Sequence, residues 1–358
     1  MPITQVNVSH FRNIKAASLE PDLGVNLLLG NNGSGKTSIL EAIHFLGLGR
    51  SFRSHLTKRV VQHEQEAFTL FARFQQQQQS VPLGLRKSRS GETELKINGQ
   101  RAEKLSQLAE LLPLQLIHPE GYSLLTGGPK GRRSFIDWGV FHLQPSFFPQ
   151  WLRVKRLLKQ RNAALKMAGS YRDIGFWDNE LCERSLVITQ QRREYLKELE
   201  VEILSTANDF LPEFDFTLDF FQGWDKTKEL QGYLEQNFER DRALGYTSIG
   251  PQKADLRIKV DGVPVADVLS RGQLKLLVCA LRLAQGKFQN GVGSTKCIFL
   301  IDDFASELDR EKRIPLAKHI AESGAQVFIT AIEKEQVEEL FGQQIKVFHV
   351  EHGNVSEQ

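Results

Sequence analysis

The segment Val25-Asn-Leu-Leu-Leu-Gly-Asn-Asn-Gly-Ser-Gly-Lys-Thr37 sets the reading of the whole chain. Its last eight residues, Gly30 to Thr37, match G-x-x-x-x-G-K-[ST]. The apolar run before them reads as a buried strand, and residues 38–47, opening at Ser38, read as a helix. Gly30, Gly33 and Gly35 let the backbone curl until the N–H groups around Asn31, Asn32 and Ser34 face phosphate oxygens, and the following helix adds its positive end. The spacing assigns Lys36 to the β- and γ-phosphates of a nucleoside triphosphate and Thr37 to Mg²⁺. A chance glycine-rich turn would lack the flanking strand and helix.

Chemistry of this kind needs another carboxylate at the end of a buried strand. Cys297-Ile-Phe-Leu-Ile-Asp-Asp303 supplies two: Asp302 to hold the metal, Asp303 to polarise an attacking water as general base. A carboxylate after a strand is also a common helix N-cap, a reading the upstream phosphate loop makes secondary. A third element, Leu269-Ser-Arg-Gly-Gln273, precedes a helix starting near Leu274. Ser270, Arg271, Gly272 and Gln273 there suit a γ-phosphate docked at a helix N-terminus. In isolation the pentapeptide would be no more than a cap and a turn.

The chain's 358 residues, 41% hydrophobic and 25% charged, describe a globular protein able to bury a core without disulfides, and exclude a disordered or collagen-like chain. Cys182, Cys279 and Cys297 form no C-x-x-C pair, and the histidines show no metal-ligand spacing. The longest apolar stretch, 274–284, is broken by Lys275 and Arg282, so the expected location is cytoplasmic. A net charge of +3 says little, but its distribution says more. Arg50, Arg53, Lys58 and Arg59 fall in an acid-free interval, and so do Arg153, Lys155, Arg156, Lys159, Arg161 and Lys166. Each block suits an anionic surface such as a nucleic-acid backbone; the competing reading is a solvated face. No sequence-specific nucleic-acid motif accompanies them.

The first hundred residues read as β structure with one helix, including an Asn98-Gly99 hairpin turn and a loop at the glutamines 75–79. Trp151, Val154, Leu157 and Leu165 follow helical spacing. Leu181, Ile188 and Tyr195, continued by Leu199 and Ile203, mark a long amphipathic helix. Residues 214–220 alternate as a strand, their apolar side belonging to the core, and from 256 onward strands alternate with helices. The expected class is α/β, a mixed sheet with helices plus a smaller, mostly helical lobe. The head would comprise residues 1–125 and 245–358, with 126–244 as a helical insertion.

The order phosphate loop, signature, carboxylates resembles the ATP-binding-cassette ATPases, in which the signature faces the nucleotide of a partner subunit. Ser306-Glu-Leu-Asp309 resembles their dimer-contact loop. Val8-Ser-His-Phe-Arg-Asn-Ile14 resembles the opening of the SMC/Rad50/RecF branch and so places Arg12 and Asn13 near the nucleotide. Gly49-Arg-Ser-Phe-Arg53, His118-Pro-Glu120, Gly128-Pro-Lys-Gly-Arg-Arg133 and Phe135-Ile-Asp137 resemble the RecF family within that branch, a resemblance that offers the nucleotide rather than DNA as an alternative role for Arg50 and Arg53. The resemblance implies ATP and Mg²⁺ as cofactors and an ATP-dependent homodimer. It also implies non-sequence-specific binding to single-strand/double-strand DNA junctions, and work with the RecO and RecR proteins in loading RecA, in replication recovery and in SOS induction. Three departures from the cassette pattern imply slow hydrolysis used as a switch. Asp303 stands where most cassettes have Glu, Ala331 where a sensor His is usual, and Arg271 in place of a glycine. Gln115 is the nearest candidate for the cassette glutamine. The alternative readings are the ATP-binding subunit of a membrane transporter, opposed by Phe11-Arg-Asn13 and the helical insertion, and a small-molecule kinase, opposed by the signature.

Overall fold

The computed structural model describes residues 2–76, 79–303 and 310–358, so the 306–309 segment compared with a dimer-contact loop lies outside the described residues. The chain forms two compact units, Met1–Gly121 with Lys275–Gln358, and Tyr122–Leu274.

In the first unit, strand Val25–Leu29 runs parallel to Val327–Ala331 on one side and Ile345–Glu351 on the other. Ile298–Ile301 and Leu114–Ile117 continue the parallel sheet, and Asn354–Glu357 closes the opposite edge antiparallel. Ile298–Ile301 and Val327–Ala331 are buried at every position, which is why Ile298–Ile301 and residues 327–329 are unbroken apolar runs rather than alternating ones. Leu29 lies opposite Ala331, and Ile301 opposite Ile329. The carboxyl ends of three neighbouring strands therefore share one edge of the sheet, where Gly30, Asp302 and Thr330 meet, the place where open α/β sheets bind ligands.

A second, antiparallel sheet has the order Ile14–Leu19, Ile3–Phe11, Ala67–Gln76, Gln79–Ser88, Thr93–Ile97, Gln100–Arg101. Helix Lys36–Leu48 joins both sheets in one core, and ten of its thirteen residues are buried. A helix that apolar has no solvent face to keep, as its sequence Ile39-Leu-Glu-Ala-Ile-His-Phe-Leu46 requires. Phe11, Phe45 and Phe68 meet edge-on within that core. Asn98 and Gly99 both take positive φ, as a two-residue hairpin turn demands. Gln75, Gln76 and Gln79 differ from their reading as a loop. Gln75 pairs with Ser80 and Gln76 with Gln79, so strand pairing takes in these three glutamines, while Gln77 and Gln78 lie outside the described residues.

The second unit holds helices Pro129–Leu143, Phe147–Leu165 and Gly175–Phe210. Leu181, Ile188, Tyr195, Leu199 and Ile203 all fall on the buried side of the last, a helix of 36 residues. This unit also contains a small antiparallel sheet, Phe216–Phe221 with Asp255–Val260 and Val263–Pro264. Of the 214–220 stripe, Phe216 is buried while Phe214, Leu218 and Phe220 are half-buried. Because Asp255–Val260 pairs with Phe216–Phe221, the chain stays in the second unit until Leu274, past the 245 expected from the return of α/β patterning. Local periodicity shows that a strand exists, not which sheet it joins. Arg132 binds Asp255 with both arms, tying a helix to the small sheet, and Arg192 binds Asp137 likewise, tying one helix to another. No described helix is long and apolar enough to cross a membrane.

Candidate nucleotide-binding site

Gly30 begins a tight loop because a side chain there could not fit: a Cβ would lie 2.2 Å from the Val350 carbonyl oxygen. Gly35 has φ +120, with Ile14 and Asn13 crowding the space a Cβ would take. Lys36 folds back over the loop and donates to the carbonyls of Gly30 (2.6 Å) and Asn31 (2.9 Å). Burial lowers its pKa, opposed by the charges of Asp303 and Asp302. Asn13 braces the loop from outside: its Oδ1 accepts from Ser38 Oγ (2.7 Å), and its Nδ2 donates to the Gly33 carbonyl (3.4 Å). Ser34 Oγ is buried with no protein partner, an unsatisfied polar group in the middle of the loop.

Thr37 donates to Asp302 Oδ1 at 2.9 Å. The same oxygen accepts from Thr330 Oγ1 at 2.9 Å, and Thr330 Oγ1 in turn accepts the Asp303 backbone N–H at 2.7 Å. Burial raises the Asp302 pKa, with the Thr37 and Thr330 hydroxyls opposing and the Asp303 charge adding to the rise. Asp303 sits at φ 56, a left-handed conformation uncommon for a side chain-bearing residue and found where function holds the backbone strained.

Of these residues, Asn13, Gly33, Gly35, Lys36, Thr37, Ser38, Asp302, Asp303 and Thr330 line one cleft of about 740 Å³, together with Arg12, Asn32, Arg53, Lys58, Arg59 and Arg89. A second cleft, about 1120 Å³, lies among Cys182, Phe220, Phe221 and Trp224 of the other unit, and none of the motif residues reaches it. The first cleft fits a magnesium–triphosphate on its own chemistry. Thr37 and Asp302 offer convergent hard oxygens, the loop offers backbone N–H groups and a lysine, and the rim is cationic.

Several residues singled out in the sequence have protein partners of their own or lie apart from the cleft. Arg12 lines the cleft, but its guanidinium is bidentate on Glu41 (3.0 and 2.7 Å) and also donates to the Arg59 carbonyl. Gln115 is fully buried, donates to Gln285 and accepts from Arg282, and does not line the cleft. Ser270, Arg271, Gly272 and Gln273 belong to the second unit, at the start of helix Arg271–Val292. There Ser270 and Gln273 form a reciprocal cap: the Ser270 N–H donates to Gln273 Oε1, and the Gln273 N–H to Ser270 Oγ. The first basic block is divided, Arg53, Lys58 and Arg59 lining the cleft while Arg50 does not. Thr330, Glu41 and Ser51 escaped the sequence reading. Only Thr330, as the residue before the missing histidine, had a signal that could have found it.

The chain matches the RecF/RecN/SMC N terminal domain family over residues 2–356. It is 58% identical over 357 residues to the DNA replication and repair protein RecF of Psychromonas ingrahamii, covering 99% of each chain. The protein of that name from Vibrio parahaemolyticus is 53% identical over 356 residues, again with 99% of each chain covered. The chain belongs to the RecF family.

Solved structures agree on the fold. The recombination mediator protein RecF with ATP, of the RecFOR pathway, superposes with TM-score 0.86 at 24% identity, over 99% of this chain and 97% of that one. An SMC head domain from Pyrococcus furiosus gives TM-score 0.61 at 15% identity, over 99% and 95%. The architecture is therefore the RecF and SMC head fold. RecF membership sets the chain apart from transporter cassettes and from small-molecule kinases, and its place is in DNA replication and repair.

Proposed function

We propose that this RecF-family chain is an ATP-switched DNA-binding protein of recombinational repair, with slow hydrolysis timing its release. The single observation that supports the reading most is the meeting of Lys36, Thr37 and Asp302 at one sheet edge, with Thr37 and Asp302 in direct contact. The phosphate loop and Lys36 hold the β- and γ-phosphates, and Lys36 exchanges the Gly30 and Asn31 carbonyls for them. Thr37 and Asp302 are the residues that would hold Mg²⁺, which when bound neutralises phosphate charge and polarises the phosphoryl oxygens. Thr330 orients both Asp302 and the Asp303 backbone, and Asp303 takes the proton of the attacking water.

Ser270 and Gly272 close over the γ-phosphate of a second copy, making ATP the link between two subunits. The paired subunits bind single-strand/double-strand junctions in the cytoplasm and act with RecO and RecR to load RecA, supporting replication recovery and SOS induction. Asp303, one methylene shorter than the usual glutamate, and Ala331, which offers no imidazole, fit slow turnover. Light scattering with and without MgATP tests the reading. Pairing should appear with ATP and vanish in Lys36→Met; a wild-type protein that stays monomeric in saturating MgATP contradicts it.

A further inference from the structure

Glu41 lies one turn beyond Thr37 on the phosphate-loop helix and is 0% exposed, yet it points no charge at the cleft. Its carboxylate accepts both arms of Arg12, at 3.0 and 2.7 Å, and the Ser51 hydroxyl. Arg53 Nη1 stands 3.6 Å from the same carboxylate, beyond hydrogen-bond distance, and the Arg53 side chain is half exposed at 48%. Ser51 Oγ also accepts the backbone N–H groups of Arg53 (3.0 Å) and Ser54 (2.8 Å). Arg12 extends the anchorage, accepting nothing and donating to the Arg59 carbonyl at 2.7 Å. One buried carboxylate thus fixes the loop that carries Arg53, Lys58 and Arg59 to the helix that carries Lys36 and Thr37.

The two arginines are held unequally. Arg12 is locked bidentate, whereas Arg53 is attracted without a bond and lines the same cleft as Thr37, Asp302 and Asp303. Asp302 marks the metal and γ-phosphate end of the cleft. We propose that Glu41 is a positioning residue that presents Arg53 to the terminal phosphate, so that the Glu41–Ser51–Arg53 chain sets the preference for triphosphate over diphosphate. Arg53 leaves Glu41 for phosphate oxygens, while Arg12 remains to neutralise the buried carboxylate. A locked arm in that position could not move, and an unattracted one would be lost to solvent.

This inference rests on the nucleotide reading, and the ratio of ATP to ADP affinity in the presence of Mg²⁺ tests it. Arg53→Ala should lower that ratio about tenfold, the scale of one charge-assisted hydrogen bond. Glu41→Gln should lower it comparably, and the double variant no further than either alone, because both act on one contact. Glu41→Asp should recover part of the ratio. Loss of stability alone would weaken ATP and ADP alike and leave the ratio where it was. If Glu41→Gln does not fold, Ser51→Ala removes the hydroxyl that ties Arg53 to the carboxylate and should reduce the ratio in its place. Unchanged ratios in the folded variants, or effects of Glu41 and Arg53 that multiply, overturn the proposal. A wild-type protein that binds neither nucleotide would instead overturn the nucleotide reading itself.

Discussion

Thr330 Oγ1 lies 2.9 Å from Asp302 Oδ1, the same oxygen that accepts from Thr37. One hydroxyl at the end of the neighbouring strand thus fixes the carboxylate and, through the Asp303 N–H, the residue that follows it. Thr330→Val keeps the shape and the buried strand but leaves Asp302 held from one side. Hydrolysis in single turnover should fall about tenfold with ATP affinity changed less than about threefold, the scale of one lost hydrogen bond to a positioned ligand. Thr330→Ser should restore the rate. An equal loss in both quantities would mean that the hydroxyl serves folding rather than chemistry.

Asp302 is raised in pKa, so the folded protein holds that proton more tightly than the unfolded chain does. Stability from this group is then greatest below the ordinary carboxylate range and is lost as pH rises through the raised value; at neutral pH the penalty is fully present. Asp302→Asn removes the buried charge and keeps an acceptor for Thr37 and Thr330. Its thermal midpoint in EDTA at pH 7.5 should equal or exceed that of the wild type, while stabilisation by MgATP disappears. A lower midpoint would show that the carboxylate stabilises the unliganded fold, contrary to this account.

The reciprocal cap at Ser270 separates folding from pairing. Ser270→Ala loses the cap and should cost about 1 kcal/mol of stability. Ser270→Asp replaces it with an equally good cap but brings a negative charge to the point where a partner's γ-phosphate would dock. Chemical denaturation should therefore find the aspartate variant near wild type, and light scattering should find it unable to pair with ATP. Pairing by that variant would remove the signature from the partner's phosphate.

His44 is buried on the phosphate-loop helix, with Nδ1 3.1 Å from the Arg50 carbonyl, and burial drives its pKa down to about 3. Between its ordinary value and that depressed one, the unfolded chain binds a proton that the folded chain does not. Stability is thus complete above about pH 6.5 and lost as pH falls, by about 1.4 kcal/mol per pH unit for this group. Urea midpoints of wild type and His44→Gln should converge between pH 7.5 and pH 5. Parallel pH profiles would show that His44 titrates normally.

How much of this was legible in the sequence depends on how local each feature is. The phosphate loop, its strand and its helix announce themselves within a few residues, because glycines, lysine and a buried run follow one another. Asp302 was legible because an apolar strand ends on it. Glu41 was not, because a carboxylate within Ile39-Leu-Glu-Ala-Ile43 carries no sign of its partners, Arg12 and Ser51, which the fold supplies from either side. Arg161 misled for the same reason. In a run of six basic residues it looks like part of a charged face, yet it is 0% exposed and paired with Asp178 and Asp241.

That burial sharpens the last prediction. Of the helical basic block, Arg161 is core and Arg153 is engaged by Glu180 through both arms. Lys166 is exposed at the end of the helix; within it Lys155, Arg156 and Lys159 remain exposed, and Lys155 lies 5.0 Å from the Trp151 ring centroid, which steadies it at the surface. If these three face a DNA backbone, each releases a counterion on binding, and the slope of log affinity against log salt carries about 0.9 per contact. Reversing all three to Glu should weaken duplex and junction binding and reduce the magnitude of that slope by between about 2 and 3. Nucleotide-driven pairing should persist, because no residue of the phosphate cleft is touched. Fluorescence anisotropy across a salt series, with light scattering on the same sample, measures both. An unchanged slope would take this helix off the DNA surface and leave Lys58, Arg59 and Arg89, on the rim of the nucleotide cleft, as the cations to test next.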